Sequence, residues 1–319
     1  MTFLRFIPET TNVDFVKYRY LAFAVDGLLM LASIVSIYLA GFNLGIDFTG
    51  GVLMEVKANH AIDIGNMRAT MHTLNLGEAQ LQYFGGGECD RPVNSCVMIR
   101  VQPRTINQGG DQNAADQAVV QRIKGILAQG EIVRRTDVVG PKVSQELFHD
   151  GVIATILAVI MISLYVAVRF EWQYGVGALV ATGHDVFVTA GFFSLTQLDF
   201  TINTVAALLL LAGYSINDTV VVFDRIRENR RKYKRMPLRE LINLSTNQIA
   251  TRTTLVSAAT ALSVLPLLFG GPVLMNFSVA ILFGIVVGTF SSTYVAAALL
   301  LYLPPVGRAV AETAPAKGA

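Results

Sequence analysis

The sequence predicts an α-helical membrane protein with six transmembrane helices and one α+β domain outside the membrane, between the first and second helices. Three observations lead to this fold class. Of the 319 residues, 53% are hydrophobic and only 15% are charged, whereas soluble domains carry about 25% charged residues. Six apolar segments are each long enough to cross a bilayer core of about 30 Å. After the first of them, the pattern changes to short amphipathic elements.

The six apolar segments contain few charged residues and have the length that a membrane-spanning helix needs. The first could be read as a signal peptide, but it is longer than the apolar core of one, and the residues at its end make a poor cleavage site. We therefore expect a retained anchor, preceded by a short N-terminal segment over residues 1–20. The predicted spans are Leu21–Ala40, Gly151–Val168, Gly175–Leu195, Thr201–Phe223, Ile249–Phe269 and Val273–Leu303.

The orientation follows from the basic residues between the fourth and fifth spans. Residues 224–248 contain eight Lys and Arg side chains between Arg225 and Arg239, the strongest positive-inside signal of the chain. Alternation then places both termini, including the tail 305–319, in the cytoplasm and residues 41–150 in the periplasm. The basic loop is either a determinant of topology beside anionic lipid or a docking surface for a cytoplasmic partner.

The external domain is predicted to be ferredoxin-like. Its alternating and helical apolar patterns follow the order β-α-β-β-α-β, which is the split βαβ arrangement. Two helices cover one face of such a sheet and leave the other face free. The domain contains no catalytic constellation, so we expect a binding or mechanical module and not an enzyme. The predicted elements are Gly51–Lys57, Ile62–Asn75, Gln80–Phe84, Ser95–Val101, Gln112–Gln129 and Glu131–Val138.

Two features of this region have competing interpretations. The glycine-rich segment Gly45–Gly51 precedes a strand and lacks the helix N-terminus of a phosphate site, so we interpret it as a tight exit from the membrane. Cys89 and Cys96 bound a short loop on the oxidising side of the membrane, where a local disulfide is plausible. The alternative is two free thiols, and two ligands are too few for a metal site.

Charged side chains inside the apolar segments carry most of the functional information. His184 and Asp185 lie near the middle of the third span, Asp218 lies in the fourth, and Arg252 lies just inside the fifth. A charged side chain at the membrane centre costs about 2.5–3.5 kcal/mol on insertion scales. These residues are therefore candidates for a function that offsets this cost. Asp26 lies near the cytoplasmic end of the first span, and we expect it to be interfacial.

Asp218 and Arg252 lie on consecutive antiparallel spans, and a rise of about 1.5 Å per residue places them at similar depth. One interpretation is a buried ion pair that fixes the register of the two helices. The other is a proton relay, because low dielectric favours the neutral carboxyl group and a nearby guanidinium favours the ionised one. His184 and Asp185 are weaker candidates for this relay, with structural polar packing as the alternative.

Small residues in the last three spans predict close helix contacts. Gly284 and Gly288 form a Gly-x-x-x-Gly pair, and Gly213 precedes the Asp218 region. Such residues let helix backbones approach each other in membranes. We predict that all three glycines are packing positions, with a hinge as the alternative.

Several of these motifs together resemble one family, in matching order from about residue 13 to about residue 304. The resemblance is to SecF, the smaller subunit of the bacterial SecD–SecF accessory complex of the Sec translocase, in the resistance-nodulation-division superfamily. The tail 305–319 lies outside it. The motifs are Gly45–Gly51, Val139–Pro141, His184–Val186, Gly213–Asp218, Asp224–Asn229 and Phe269–Pro272.

The resemblance implies a transport subunit of the inner membrane that helps complete preprotein export after the SecA ATPase has acted. Its partners would be SecD, as an obligate partner, the SecYEG translocon with its accessory subunits, unfolded preprotein and membrane lipid, but not nucleic acid. Protons would be the coupling ion, with no other cofactor. Asp218 and Arg252 would belong to the proton pathway, and SecD would supply a further carboxylate.

Two rival functions come from the same residues. One is half of a proton/solute antiporter of the resistance-nodulation-division type, although such pumps usually carry two large external domains in one chain. The other is a purely structural translocon subunit, in which Asp218 and Arg252 only fix helix register.

Overall fold

The fold of the chain is described from a computed structural model that covers residues 11–74, 77–85, 89, 92–103, 112–127, 131–270 and 272–304. The tail 305–319 and the first ten residues of the predicted N-terminal segment lie outside these ranges. Within them, six helices are long and apolar enough to cross a membrane, as the sequence predicted. The chain is therefore a multi-pass membrane protein with a small external α+β domain.

The chain enters the external domain through a helix and one short turn. Helix α1 spans Arg19–Leu39, and helix α2 spans Ile46–Thr49. Gly50 follows α2 with a φ of 73°, and Gly51 has a φ of 121°. These left-handed values favour glycine because a side chain would clash with the backbone. The two glycines thus turn the chain from the membrane into the first strand.

The external domain has the ferredoxin-like fold that the alternating pattern predicts. All neighbouring strands pair antiparallel, in the order β2-β3-β1-β4. Val52, Met54 and Val56 point to one face of β1, where they and Ile99 of β3 are fully buried beneath the two helices. The elements are β1 Gly51–Ala58, α3 Ile64–Thr73, β2 Gly77–Tyr83, β3 Cys96–Pro103, α4 Gln112–Ile126 and β4 Glu131–Val139.

The remaining elements form the membrane bundle. Pro266 has no N–H to donate, so it cannot continue the hydrogen bonds of α8, and a 3₁₀ turn over Leu265–Phe269 follows that helix. A π-helical turn over Ser292–Ala296 follows α9. The helices are α5 Pro141–Arg169, α6 Trp172–Thr196, α7 Ile202–Lys232, α8 Leu238–Val264, α9 Pro272–Ser291 and α10 Ala297–Leu299.

Two predicted boundaries differ from the structure. The sequence pattern places residues 141–150 in the external domain, but α5 begins at Pro141, after Gly140, and continues without interruption along the second apolar segment. Proline at the first helical position is a start signal, which polar residues such as Lys142 and Asp150 obscured. The basic loop 224–248 is also mostly helical, because α7 continues to Lys232 and α8 begins at Leu238.

The second face of the external sheet is not free, contrary to the expectation. Its residues Met98 and Arg100 are 8% and 7% exposed, although no helix of the domain covers them. Arg100 forms an ion pair of 3.0 Å with Asp199, which lies in the connection between α6 and α7. This face of the domain therefore rests on the outer ends of the membrane helices.

Candidate functional site

Helices α1 and α6 run parallel and pack in a single register. Three contacts join residues that are all 158 positions apart. Ser36 Oγ lies 2.9 Å from Ser194 Oγ, and a Cβ added at Gly191 would lie 2.2 Å from Ser33. The third contact places His184 Nε2 3.7 Å from Asp26 Oδ1. The absence of a side chain at Gly191 thus allows the close approach that brings Asp26 to His184.

Asp185 is a buried carboxylate whose two oxygens both have hydrogen-bond partners. It is fully buried, and Oδ1 lies 3.2 Å from Nδ1 of His184. Its Oδ2 accepts hydrogen bonds from Ser215 of α7 at 2.5 Å and from Ser291 of α9 at 2.8 Å. Hydrogen-bond donors stabilise the ionised form of a carboxyl group. Three helices therefore converge on Asp185 and compensate its charge.

Asp26 lies in the same cluster but has no such donors. It is 6% exposed, and neither carboxylate oxygen has a hydrogen-bond partner in the part of the chain that the structure describes. The same holds for Nε2 of His184, the ring atom that faces it. The expectation that Asp26 is interfacial is therefore wrong: the α1–α6 contact buries it. Asp26, His184, Asp185, Ser215 and Ser291 are named the inner cluster from here on.

Asp218 lies one turn along α7 from the inner cluster. It is 3% exposed, and its Oδ2 has no hydrogen-bond partner among the described residues. Helical geometry places Ser215 and Val221 about 60° to either side of Asp218 on α7. Ser215, on one side of Asp218, contacts Asp185 of the inner cluster. Val221, on the other side of Asp218, lines a cleft. Asp218 therefore lies between the inner cluster and this cleft.

Arg252 lines this cleft and does not meet Asp218. Among the described residues, no ion pair joins the two side chains, and Arg252 is exposed. The cleft has a volume of about 640 Å³ and lies between α5, α7 and α8, with Arg169, Asp224 and Glu228 also lining it. The expected contact is absent because Asp218 is buried on the part of the α7 surface between the inner cluster and the cleft. Arg252, on α8, instead lines the cleft itself. A register pair of Asp218 and Arg252 does not exist in this structure.

The three glycines predicted as packing positions differ in their surroundings. A Cβ at Gly284 would lie 2.5 Å from the side chain of Leu211, and one at Gly288 would lie 3.4 Å from Asp185 Oδ2. These two allow α9 to approach α7 and the inner cluster. Gly213 is exposed, and an added Cβ would meet no atom within 4 Å. Gly213 is therefore not a packing position within the described chain.

A second polar network joins the external domain to the membrane helices. Asp199 accepts a hydrogen bond of 2.8 Å from Nδ2 of Asn43 and forms the ion pair with Arg100. Its backbone oxygen accepts a hydrogen bond of 3.2 Å from Asn276 of α9. The side chains of Arg100 and Asp199 are 8% and 15% exposed. Arg100, Asp199, Asn43 and Asn276 are named the outer joint.

The glycine-rich segment adds to this attachment. The backbone N–H of Gly45 donates to Phe200 O at 2.8 Å, and a Cβ at Gly45 would lie 2.8 Å from the Thr201 side chain. Oδ2 of Asp47 accepts a hydrogen bond of 2.9 Å from the N–H of Ile202, the first residue of α7. A carboxylate at this position favours the helix start. The segment thus attaches the entrance of the external domain to the start of the helix that carries Asp218.

The predicted cysteine pair is buried in the external domain, where Cys96 is the first residue of β3. Cys89 and Cys96 are joined by a disulfide, and Nη1 of Arg134 on β4 lies 3.1 Å from Sγ of Cys89. The disulfide closes the connection that leads into β3.

Sequence reasoning missed Asp26, Ser215 and Ser291 of the inner cluster and the whole outer joint. The burial of Asp26 could have been predicted, because the small and polar residues of α1 form a stripe on one face of the helix. The buried residues of that stripe are Ala22, Asp26, Ser33 and Ser36. The serines of α7 and α9 and the pair of Arg100 with Asp199 have no comparable signal in a single sequence.

Comparison with known protein families gives two matches. Residues 121–305 match the family described as "Protein export membrane protein SecD/SecF, C-terminal". Residues 35–62 match the "SecD/SecF GG Motif", the segment that includes Gly45–Gly51. Asp185, Asp218 and Arg252 all lie within the first match, whereas Asp26 precedes both.

The chain is also similar to individual proteins and structures. It is 41% identical over 305 residues to the protein translocase subunit SecF of Rhodobacter capsulatus, covering 94% of this chain and 91% of the relative. Identity to the SecF of Rickettsia prowazekii is 38%, over 93% of both chains. The crystal structure of SecDF, a translocon-associated membrane protein from Thermus thermophilus, aligns with a TM-score of 0.79 and 34% identity. That alignment covers 93% of this chain but only 39% of the SecDF chain.

Proposed function

Because the chain belongs to the SecF family of protein translocase subunits, we propose that it works with SecD to couple inward proton movement to the late stage of preprotein export. The observation that carries this proposal is Asp218, a carboxyl group buried within a membrane-spanning helix with one oxygen unpartnered among the described residues. Such a group is expensive to retain in a membrane and marks a proton or ion pathway by default.

The position of Asp218 supports a role in proton transfer. A relay carboxylate must be reachable from two sides, and Asp218 lies on α7 between the inner cluster and the cleft of Arg252. Arg252 in this cleft would stabilise the ionised form of a carboxylate that came close to it. Relative movement of α7 and α8 would then change the proton affinity of Asp218.

The proposal includes a partner on the cleft side. The cleft of Arg252 is open and polar, with basic and acidic side chains from three helices. The aligned SecDF chain is more than twice as long as the part that this chain matches, which supports SecD as the missing half of the transporter. A carboxylate of SecD placed in the cleft would give Arg252 an acidic partner, which none of the described residues provides as an ion pair.

The outer joint supports a mechanical link between the membrane and the external domain. Proton-driven changes in the bundle would reach the sheet through Asp199, since this residue contacts Arg100 of β3 and Asn43 after α1. We propose that residues 41–150 lie in the periplasm, that both termini lie in the cytoplasm, and that the domain helps to hold or pull the emerging preprotein. The subunit would act in the inner membrane beside the SecYEG translocon.

The test is pulse-chase export of a secreted preprotein in cells whose only copy of this chain carries Asp218→Asn. The amide keeps the shape of the side chain but cannot exchange a proton. The matched control is Asp150→Asn, the same substitution at an exposed carboxylate whose side chain is 80% exposed. Protein level and co-purification with SecD are measured in both strains.

We expect precursors to accumulate in the Asp218→Asn strain and mature protein to form at the normal rate in the control, with both variants assembled. Normal export by an assembled Asp218→Asn variant would exclude Asp218 as a required relay. The structural-subunit function would then be the better description of the chain.

A further inference from the structure

The inner cluster contains more ionisable groups than a relay through Asp218 requires. Asp26, His184 and Asp185 are 6%, 7% and 0% exposed, and they come from α1 and α6. Asp185 is fully provided with hydrogen-bond donors, whereas Asp26 and the facing Nε2 of His184 have none among the described residues. The cluster therefore holds one satisfied carboxylate and one unsatisfied pair.

We infer that Asp26 and His184 form a second protonation site, which holds one exchangeable proton between Asp26 Oδ1 and His184 Nε2. This inference extends the proton coupling of the proposed function to α1, a helix that is not part of the expected relay. The ligand is a proton, and the groups that bind it are a carboxylate and an imidazole nitrogen.

Counting protons and charges leads to this assignment. Two serine hydroxyl groups donate to Oδ2 of Asp185, and such donors favour the charged carboxylate. Beside a carboxylate, Nδ1 of His184 is the donor to Oδ1, which lies 3.2 Å away. The Nε2 atom then either carries a proton or offers a lone pair. With one further proton, on Nε2 or on Asp26, the cluster has a net charge of −1, and without it the charge is −2. Low dielectric disfavours the doubly charged state, so a proton binds between the two unpartnered groups.

The neighbouring helices supply no positive charge that would replace this proton. Within one turn of the cluster on α1, α6, α7, α9 and the π-helical turn, the further ionisable side chains are Tyr214, Asp218 and Tyr294. Helix α5, whose Val159 faces Gly183 beside the cluster, has no ionisable side chain within one turn of that contact. Tyr214 donates to Ser257 of α8, and Tyr294 packs against the ring of Phe15. Asp218 is itself acidic and adds to the need for a proton.

The geometry also links the proton to the spacing of two helices. The distance of 3.7 Å between His184 Nε2 and Asp26 Oδ1 is too long for a direct hydrogen bond. The two atoms would have to move closer by roughly 1 Å to form one. A shared proton would draw α1 towards α6, and its loss would let the two acidic groups repel. Because α1 leads directly into the outer joint at Asn43, the protonation state acts on the helix that carries the external domain.

The test is infrared titration of protonated carboxyl groups in the complete complex with SecD, reconstituted in liposomes. Asp218→Asn serves as the background, because it removes the relay carboxylate. The double variants add either Asp26→Asn or the control Ser36→Ala, which removes the contact to Ser194 in the same α1–α6 interface. We expect a titrating carboxyl band that the Asp26→Asn change abolishes and the Ser36→Ala change retains. A titration that Asp26→Asn leaves unaltered would overturn the second site.

Nitrogen NMR of labelled histidine provides a second readout without a change at Asp26. The chain has four histidines, and the signal of His184 is the one that His184→Gln removes. We expect its Nε2 resonance to change with pH in the otherwise unaltered complex, and a resonance that is constant with pH contradicts the inference. Neither readout depends on export, so export failure or success in the Asp218→Asn strain decides the proposed function separately.

Discussion

The outer joint and the inner cluster are both buried polar networks, but they differ in how completely their groups are paired. In the outer joint, the two charges compensate each other: the Asp199 side chain pairs with Arg100 and Asn43, and Asn276 donates to its backbone oxygen. Only Nε of Arg100 has no hydrogen-bond partner among the described residues. In the inner cluster, Asp26 and Nε2 of His184 have no hydrogen-bond partner among the described residues. Asp218, one turn away, also has an unpartnered oxygen.

This difference separates two uses of polar residues in one membrane protein. A network whose opposite charges are paired fixes a position, since breaking it leaves a buried charge without compensation. An incompletely paired group contributes little to stability but can change its protonation state. We therefore interpret the outer joint as an attachment and the inner cluster with Asp218 as the part that responds to protons. Three substitutions test this division.

The largest effect on stability is expected from breaking the outer joint. Arg100→Ala leaves the carboxylate of Asp199 mostly buried, with Asn43 as its one remaining side-chain donor among the described residues. Removing one partner of a buried pair costs about 3–5 kcal/mol. Thermal unfolding of the purified complex measures this loss. The control is Arg135→Ala, because the pair of Arg135 with Asp137 is 49% and 35% exposed and such pairs contribute about 0–1 kcal/mol. Equal losses in both variants would contradict the role of the outer joint.

A smaller loss is expected from separating α1 and α6. The added Cβ of Gly191→Ala would lie 2.8 Å from the Cα of Ser33, so backbone has to move, and overpacking of this kind costs about 1–3 kcal/mol. The control Gly213→Ala adds the same methyl group where no atom lies within 4 Å. We expect Gly213→Ala to be neutral or slightly stabilising, because alanine favours helix more than glycine by about 1 kcal/mol. If Gly213→Ala destabilised the complex more than Gly191→Ala, close packing of α1 against α6 at Gly191 would be contradicted.

The smallest effect on stability is expected at Asp26. Asp26→Asn replaces a buried carboxyl group with an amide and breaks no hydrogen bond among the described residues. We therefore expect the free energy of unfolding to change by less than about 1 kcal/mol. Unfolding of the purified complex in urea or by heat checks this value. A loss as large as that of Arg100→Ala would show that Asp26 is an anchor of α1 and would remove the distinction between the two networks.

The sequence predicted the elements better than the contacts. The length of the apolar segments was sufficient to predict the six spans. The alternation of apolar and polar residues in segments such as Gly51–Ala58 was sufficient to predict the strands of the βαββαβ order. These patterns are local. The start of α5 at Pro141 was also within reach, because Gly140 and Pro141 form a helix-start signal, but the polar residues that follow outweighed it.

The contacts depend on helix phase and on pairs that are distant in sequence. Depth alone suggested that Asp218 meets Arg252, yet the rotation of α7 keeps them apart. Depth likewise suggested an interfacial Asp26, although the partner helix buries it against His184. Arg100 and Asp199 lie on different domains, and no periodicity in either segment connects them. The roles of Asp218, Arg252, Asp185 and His184 in proton transfer stay predictions.

Proton flux tests the central claim most directly. The chain and SecD are reconstituted in liposomes with a pH-sensitive dye inside, a pH gradient is imposed, and the rate of acidification is compared between the unaltered complex and Asp218→Asn. We expect the complex to increase proton entry over protein-free liposomes and Asp218→Asn to reduce it to the protein-free rate. Equal flux through both complexes would contradict proton coupling through Asp218.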